Sequence, residues 1–171
     1  TYADRVAQLA LIDGYVPMPS EADDAAKQLK RAIRENKRFA NSQPTFFPDF
    51  EKAIQARVKG FVPLQQEAAA LLAKRGVSEG SKGFYWANDQ RLKAASFVKF
   101  SKDYLEGFFT SILARVLLIQ AENSVLSPGR QQNALFEWIR HMDIQKVSGS
   151  HHLHLEGEAE DVARLIQKFL V

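Results

Sequence analysis

His151, His152 and His154 fall within four consecutive residues. Imidazole is the side chain whose charge changes most readily near neutral pH, so each could act as a general base or a metal ligand. In an extended segment neighbouring side chains point to opposite faces. With no Cys or carboxylate partner at ligand spacing, a metal centre is not expected. A base needs a nucleophile to activate. The sequence has no Cys, which removes a thiolate nucleophile together with disulfides, thiolate zinc sites and iron–sulfur clusters. It also lacks the Gly-x-Ser-x-Gly turn of an exposed serine nucleophile; Ser78-Glu79-Gly80-Ser81 has the wrong spacing. Thr1 could be an N-terminal nucleophile using its own amine as base, but the layered antiparallel sheets of such enzymes do not match the strand pattern below. The chain opens with Thr rather than Met, so residue 1 is not expected to be the start of the gene product.

Charge offers a second chemistry. Lys27, Lys30, Arg31, Arg34 and Arg38 fall on one side of a helical stretch and could engage nucleic acid, anionic lipid or an acidic substrate. Glu21, Asp23, Asp24 and Glu35 dilute them, so a solvated face is the simpler reading. With 23 Lys+Arg against 20 Asp+Glu, a net charge of +3 and a pI near 9.2 are too mild to point to nucleic acid. No apolar run approaches the roughly 20 residues of a membrane span. Neither partner is expected, nor is a cofactor, and the absence of Cys is compatible with a cytoplasmic location.

The elements that must position these residues follow from periodicity. Val6 to Ile12 is a short apolar run closed by Asp13-Gly14, as in a buried parallel strand. Ser20 and Asp23 look like a cap for a helix from about Glu21 to Phe39, with Ala22, Ala26, Leu29 and Ile33 as its apolar stripe. Pro48 stands at a plausible first helical position before Phe50, Ile54 and Val58, and Gly60 ends that helix. Another runs from Pro63 to Gly76. The Gly- and Ser-rich residues 76–83 and the aromatic segment from Gly83 to Asp89 show no period. Ser101 to Ser111 fits a short helix, Ala114 to Ala121 a second buried strand, Gln131 to His141 a helix and Ile144 to Val147 a third strand. Val162, Leu165, Ile166, Phe169 and Leu170 form the stripe of a final helix, with Glu158, Glu160 and Asp161 in its first turn where the dipole favours anions.

This is an α/β order with few strands. About 100 residues lie between the first two, too many for an ordinary crossover, so an inserted helical subdomain is expected. The divisions are residues 1–15 for the first core strand and turn, 16–111 for the insertion, and 112–171 for the C-terminal core strands and helices.

Gly149-Ser150-His151-His152-Leu153-His154-Leu155-Glu156, between the third strand and the last helix, resembles the end of α/β-hydrolase proteins, where Gly-His-x-x-x-x-Glu carries the triad histidine. Counting back from Glu156 selects His151, with Ser150 in place of the usual Gly. Tyr2-Ala3-Asp4-Arg5-Val6, Leu9-Ala10-Leu11-Ile12-Asp13 and Asp89-Gln90-Arg91-Leu92 extend the resemblance, and serine hydrolase-like proteins are the subgroup it is similar to. The resemblance implies a partial α/β-hydrolase sheet of three parallel strands with a large helical cap, and Ser-His-Asp hydrolysis of an ester or related acyl substrate. The nucleophile and oxyanion hole would come from an N-terminal half or companion chain outside these residues, so this chain alone would be inactive. A strand edge left unpaired also makes association between copies an expectation. The alternative is a non-catalytic module binding an anionic partner through the basic helix.

The resemblance also guides the remaining site residues. Caps of this fold line the acyl or alcohol site, which makes Phe46, Phe47 and Trp86 candidates for substrate contact, although aromatic residues there equally suit a cap core. The triad acid usually follows the strand Ala114 to Ala121, and alignment puts Ser124 at that position. Asp13 resembles the acid of haloalkane dehalogenases, which follows the earlier strand just before a proline-containing cap entry. Asp13 is therefore the expected partner of His151, Glu122 the second choice, and a turn residue beside Gly14 the plain alternative for Asp13.

Overall fold

The computed structural model describes residues 2–14, 17–125 and 137–171. Two compact units divide the chain, Thr1–Pro19 with Phe100–Val171 and, between them in sequence, Ser20–Lys99. The first boundary falls at 19/20 rather than 15/16, and the second at 99/100 rather than 111/112 because the helix α4 (Lys102–Thr110) belongs with the strands: its Leu105 is buried against Leu118.

The first unit is built on a parallel sheet ordered β1 (Gln8–Ile12), β5 (Arg115–Ala121), β6 (Met142–Val147), with Leu9 opposite Val116 and Val116 opposite Met142. β5 is central. Its alternating side chains serve two layers. Leu117, Ile119 and Ala121 pack with Leu153, Val162 and Phe169, the last two on helix α5 (Ala159–Leu170), whereas Leu118 turns the other way toward Leu105, Phe109 and Trp138. The predicted stripe of the last helix is seen at Val162, Leu165, Ile166 and Phe169; Leu170, one step round the helix, is exposed. β1 is only half-buried along its length, because it pairs with β5 on one edge and with no strand on the other among the described residues. The strand starts at Gln8, two residues after the expected Val6, and a 3-10 turn at Ala3–Arg5 precedes it. The predicted helix from Gln131 to His141 falls largely outside the described residues; its last part, residues 137–141, forms turns.

The second unit contains α1 (Ala25–Ala40), α2 (Phe50–Val58), α3 (Gln66–Gly76) and a small antiparallel sheet ordered β2 (Phe46–Phe47), β4 (Gly83–Trp86), β3 (Val77–Gly80). α1 follows a 3-10 turn at Ala22–Asp24 and therefore starts later than Ser20 and Asp23 suggest. Asp49 caps α2 by accepting from Lys52 N at 2.7 Å, which places Pro48 before the cap rather than inside the helix.

α1 docks with its polar side. Leu29 and Ile33 of the expected stripe are exposed, and Ala32 is the buried residue. Gln28 Nε2 donates to Ser96 O at 2.7 Å, Asn36 Nδ2 to Ala95 O at 3.3 Å, and Ala95 N to Glu35 Oε2 at 2.8 Å. Arg31 Nε donates to Glu35 Oε1 at 2.8 Å, so the basic face is partly neutralised within its own helix. The Arg31 hydrogen bond, and after it the one from Ala95, hold the Glu35 carboxyl below its ordinary value of 4.5. A lowered folded value means that the ionised carboxylate favours the native state, with that contribution present above the ordinary value and lost as pH falls through the folded one. Glu35→Gln should therefore be less stable than wild type at pH 7, and the gap should close below pH 4.5, as thermal unfolding against pH will show. A gap that persisted unchanged in acid would remove Glu35 ionisation as its cause.

Candidate active site

Parallel strands gather their C-terminal ends on one edge, and the loops leaving that edge are where α/β sheets hold chemistry. Asp13 leaves β1 there. Its N–H donates to Ile119 O at 2.7 Å, continuing the ladder by one residue, and its φ of 42° then turns the chain out of the strand. Asp is among the few non-glycine residues that adopt this left-handed region with modest strain. The side chain is turned inward and wholly buried.

A buried carboxylate requires partners, and Asp13 has them from two other segments. Ala121, at the end of β5, donates its N–H to Oδ1 at 3.0 Å. Ser124, in the turn that follows, donates Oγ–H to Oδ2. His151 Nδ1 lies 2.6 Å from the same Oδ2, with its ring partly exposed. An ionised carboxylate is acceptor-only, so against it Nδ1 would be the donor, and a neutral ring in that tautomer keeps its lone pair on Nε2. The arrangement can therefore orient an imidazole as a general base.

The loop holding His151 is tied at several points. Gly149, at φ 115°, adopts backbone that side-chain-bearing residues rarely enter, and a Cβ there would meet the Glu158 carboxylate at 2.7 Å. Its carbonyl accepts from Asn123 N at 3.1 Å, joining the turn after β5 to the loop after β6. Ser150 donates Oγ–H to Glu156 Oε2 and accepts from His152 N at 3.2 Å. The residue in place of the usual glycine thus closes the loop on the glutamate of the same motif. Leu153, fully buried, anchors the segment in the core under β5.

Of the residues selected from sequence, the structure brings together Asp13 and His151. Glu122 is exposed in the turn after β5, where its N–H donates to Val147 O at 3.0 Å. Thr1 lies outside the described residues. The His152 ring lies 4.8 Å from that of His151, tilted to it, and 6.3 Å from that of His154, edge-on, and among the described residues no group of three or more His, Asp or Glu is arranged to hold a metal ion. Phe46 and Phe47 are half-buried on β2, paired with Tyr85 and Phe84. The Trp86 Nε1–H donates to Ala53 O at 3.0 Å and the ring covers Gly76, so this indole is committed to packing of the second unit. Ser124 was hidden by its position: read against the family pattern it marks a missing acid, whereas a hydroxyl beside a carboxylate is itself a usable donor.

No family model matches the sequence. A serine hydrolase-like protein from Danio rerio is 26% identical over 99% of this chain, which spans 54% of that protein. A hypothetical protein from Pseudomonas aeruginosa PAO1 superposes with a TM-score of 0.88 at 33% identity, over 97% of this chain and 59% of the other. The thioesterase domain from the curacin biosynthetic pathway gives a TM-score of 0.75 at 20% identity, over 95% of this chain and 58% of that one. The chain thus spans little more than half the length of the relatives it matches. Among the described residues no helix is long and apolar enough to cross a membrane. The chain is part of an α/β-hydrolase fold, similar along nearly its whole length to a serine hydrolase-like protein.

Proposed function

We propose that this chain supplies the acid and the base of a serine hydrolase that cleaves an ester or related acyl substrate, with Asp13 as acid and His151 as base. The carrying observation is the 2.6 Å contact between His151 Nδ1 and the buried Asp13 Oδ2, at the C-terminal edge of a parallel sheet. In this reading the nucleophilic Ser lies outside the 171 residues, in the remainder of a longer protein or in a companion chain. His151 Nε2 takes the hydroxyl proton as Ser Oγ attacks the acyl carbon, then returns it to the leaving oxygen; Asp13 stabilises the imidazolium in between without taking a proton. A water activated by the same nitrogen completes hydrolysis of the acyl-enzyme.

A fluorophosphonate probe tests this in the complete protein. Covalent labelling at a Ser outside residues 1–171, blocked by prior incubation with a hydrolysable ester, is the expected result. Absence of labelling, combined with salt-sensitive binding of nucleic acid or anionic vesicles through the α1 basic face, would replace this reading with that of a binding module.

A further inference from the structure

Ser124 occupies the position where the fold pattern places an acid, and its hydroxyl is directed at the acid that has moved elsewhere. It is buried, at 8% exposure, on the turn that leaves β5. Asp13 reaches across from the end of β1, and β5 and its turn supply two donors to its carboxylate: Ala121 N–H on Oδ1 at 3.0 Å and Ser124 Oγ–H on Oδ2. The strand that usually carries the acid instead grips one supplied by its neighbour.

Two anchors are needed for a physical reason. The terminal torsion of an Asp side chain is broad and roughly two-fold, so a carboxylate held through Oδ1 alone can pivot about that bond. A donor on Oδ2 removes that freedom and leaves the second lone pair of Oδ2 for His151 Nδ1–H. We propose that Ser124 is a positioning residue whose hydroxyl fixes the Asp13 carboxylate so that Oδ2 receives His151 Nδ1–H. The inference rests on the reading of Asp13 and His151 as acid and base.

The test uses the complete protein with Ser124→Ala, Ser124→Thr and the double variant Asp13→Asn/Ser124→Asp, followed by ester kinetics and by the proton resonance of His151 Nδ1–H. Ser124→Ala should lower kcat about tenfold to a hundredfold at unchanged KM, the scale expected when a catalytic group drifts from its productive geometry. It should also broaden or shift the Nδ1–H resonance. Ser124→Thr, which keeps the hydroxyl, should restore both. A carboxylate at 124 starts from the place of the present donor, so the double variant should exceed Asp13→Asn alone by at least tenfold in kcat; this arm stands even if Ser124→Ala does not fold. Wild-type kcat and an unmoved resonance in Ser124→Ala would overturn the inference while leaving the proposed function intact. Failure of the complete protein to turn over any ester would instead sink the proposed function, and the resonance would still decide whether Ser124 sets the Asp13–His151 contact.

Discussion

Asp13→Asn in the complete protein should reduce kcat by about 10⁴-fold while changing stability by only about 1 kcal/mol. The amide has nearly the shape of the carboxylate, and Asn tolerates the left-handed backbone of position 13 as well as Asp does. The hydrogen-bond pattern cannot be kept, however. Three donors converge on the side chain: Ala121 N–H, Ser124 Oγ–H and His151 Nδ1–H. An amide offers one acceptor oxygen and one donor nitrogen. With the oxygen toward Ala121, whose N–H cannot turn away, the amide nitrogen faces His151 and obliges Nδ1 to accept. The proton then resides on Nε2, where a serine hydroxyl needs a lone pair. Circular dichroism and melting should look native while turnover is almost abolished. Near-normal turnover in Asp13→Asn, with Glu122→Gln inactive, would show that the acid is Glu122 despite its exposure.

A change of comparable size, on stability rather than chemistry, is expected at Gly83. This residue opens β4 at φ 112°, and an added Cβ would lie 2.3 Å from Phe47 O. The obstacle is backbone of the neighbouring strand, which cannot rotate aside as a side chain could. Strained backbone costs on the order of 1–3 kcal/mol by itself, and the collision adds to it, so Gly83→Ala should destabilise the Ser20–Lys99 unit by at least about 3 kcal/mol. Trp86, three residues along the same strand, reports on it: loss of the sheet frees its indole from Ala53 O and shifts emission to the red. Trp138 is the other tryptophan, so a Trp138→Phe background isolates the signal. An unchanged melt in Gly83→Ala would mean that the β2–β4 pairing of Phe47 with Phe84 is not held as described.

What could be read in advance was what repeats locally. Val162, Leu165, Ile166 and Phe169 announce their helix because one period governs them all, and Val116 to Ile119 announce a central strand because both of their faces are covered. The sheet of the second unit could not be read this way. Its strands are two to four residues long, and Phe46 pairs with Tyr85, far along the sequence. The Gly- and Ser-rich residues before Gly83, which show no period, belong to a hairpin. α1 misleads differently: Leu29 and Ile33 repeat with helical spacing yet stay exposed, since Gln28, Glu35 and Asn36 bind the 95–96 backbone by hydrogen bonds that no hydrophobic period records. At the site, the histidine was legible from its motif and the aspartate from its place at a strand end. The Ser124 donor and the Ser150–Glu156 closure depend on side-chain directions that spacing alone does not set.

The most direct test of the central claim is the rate of fluorophosphonate labelling of the complete protein, wild type against His151→Gln. If His151 is the base that activates a serine supplied from outside these residues, labelling should be rapid in wild type and slowed by at least about 10³-fold in His151→Gln, with the fold intact by circular dichroism. Equal labelling rates in the two proteins would contradict the account.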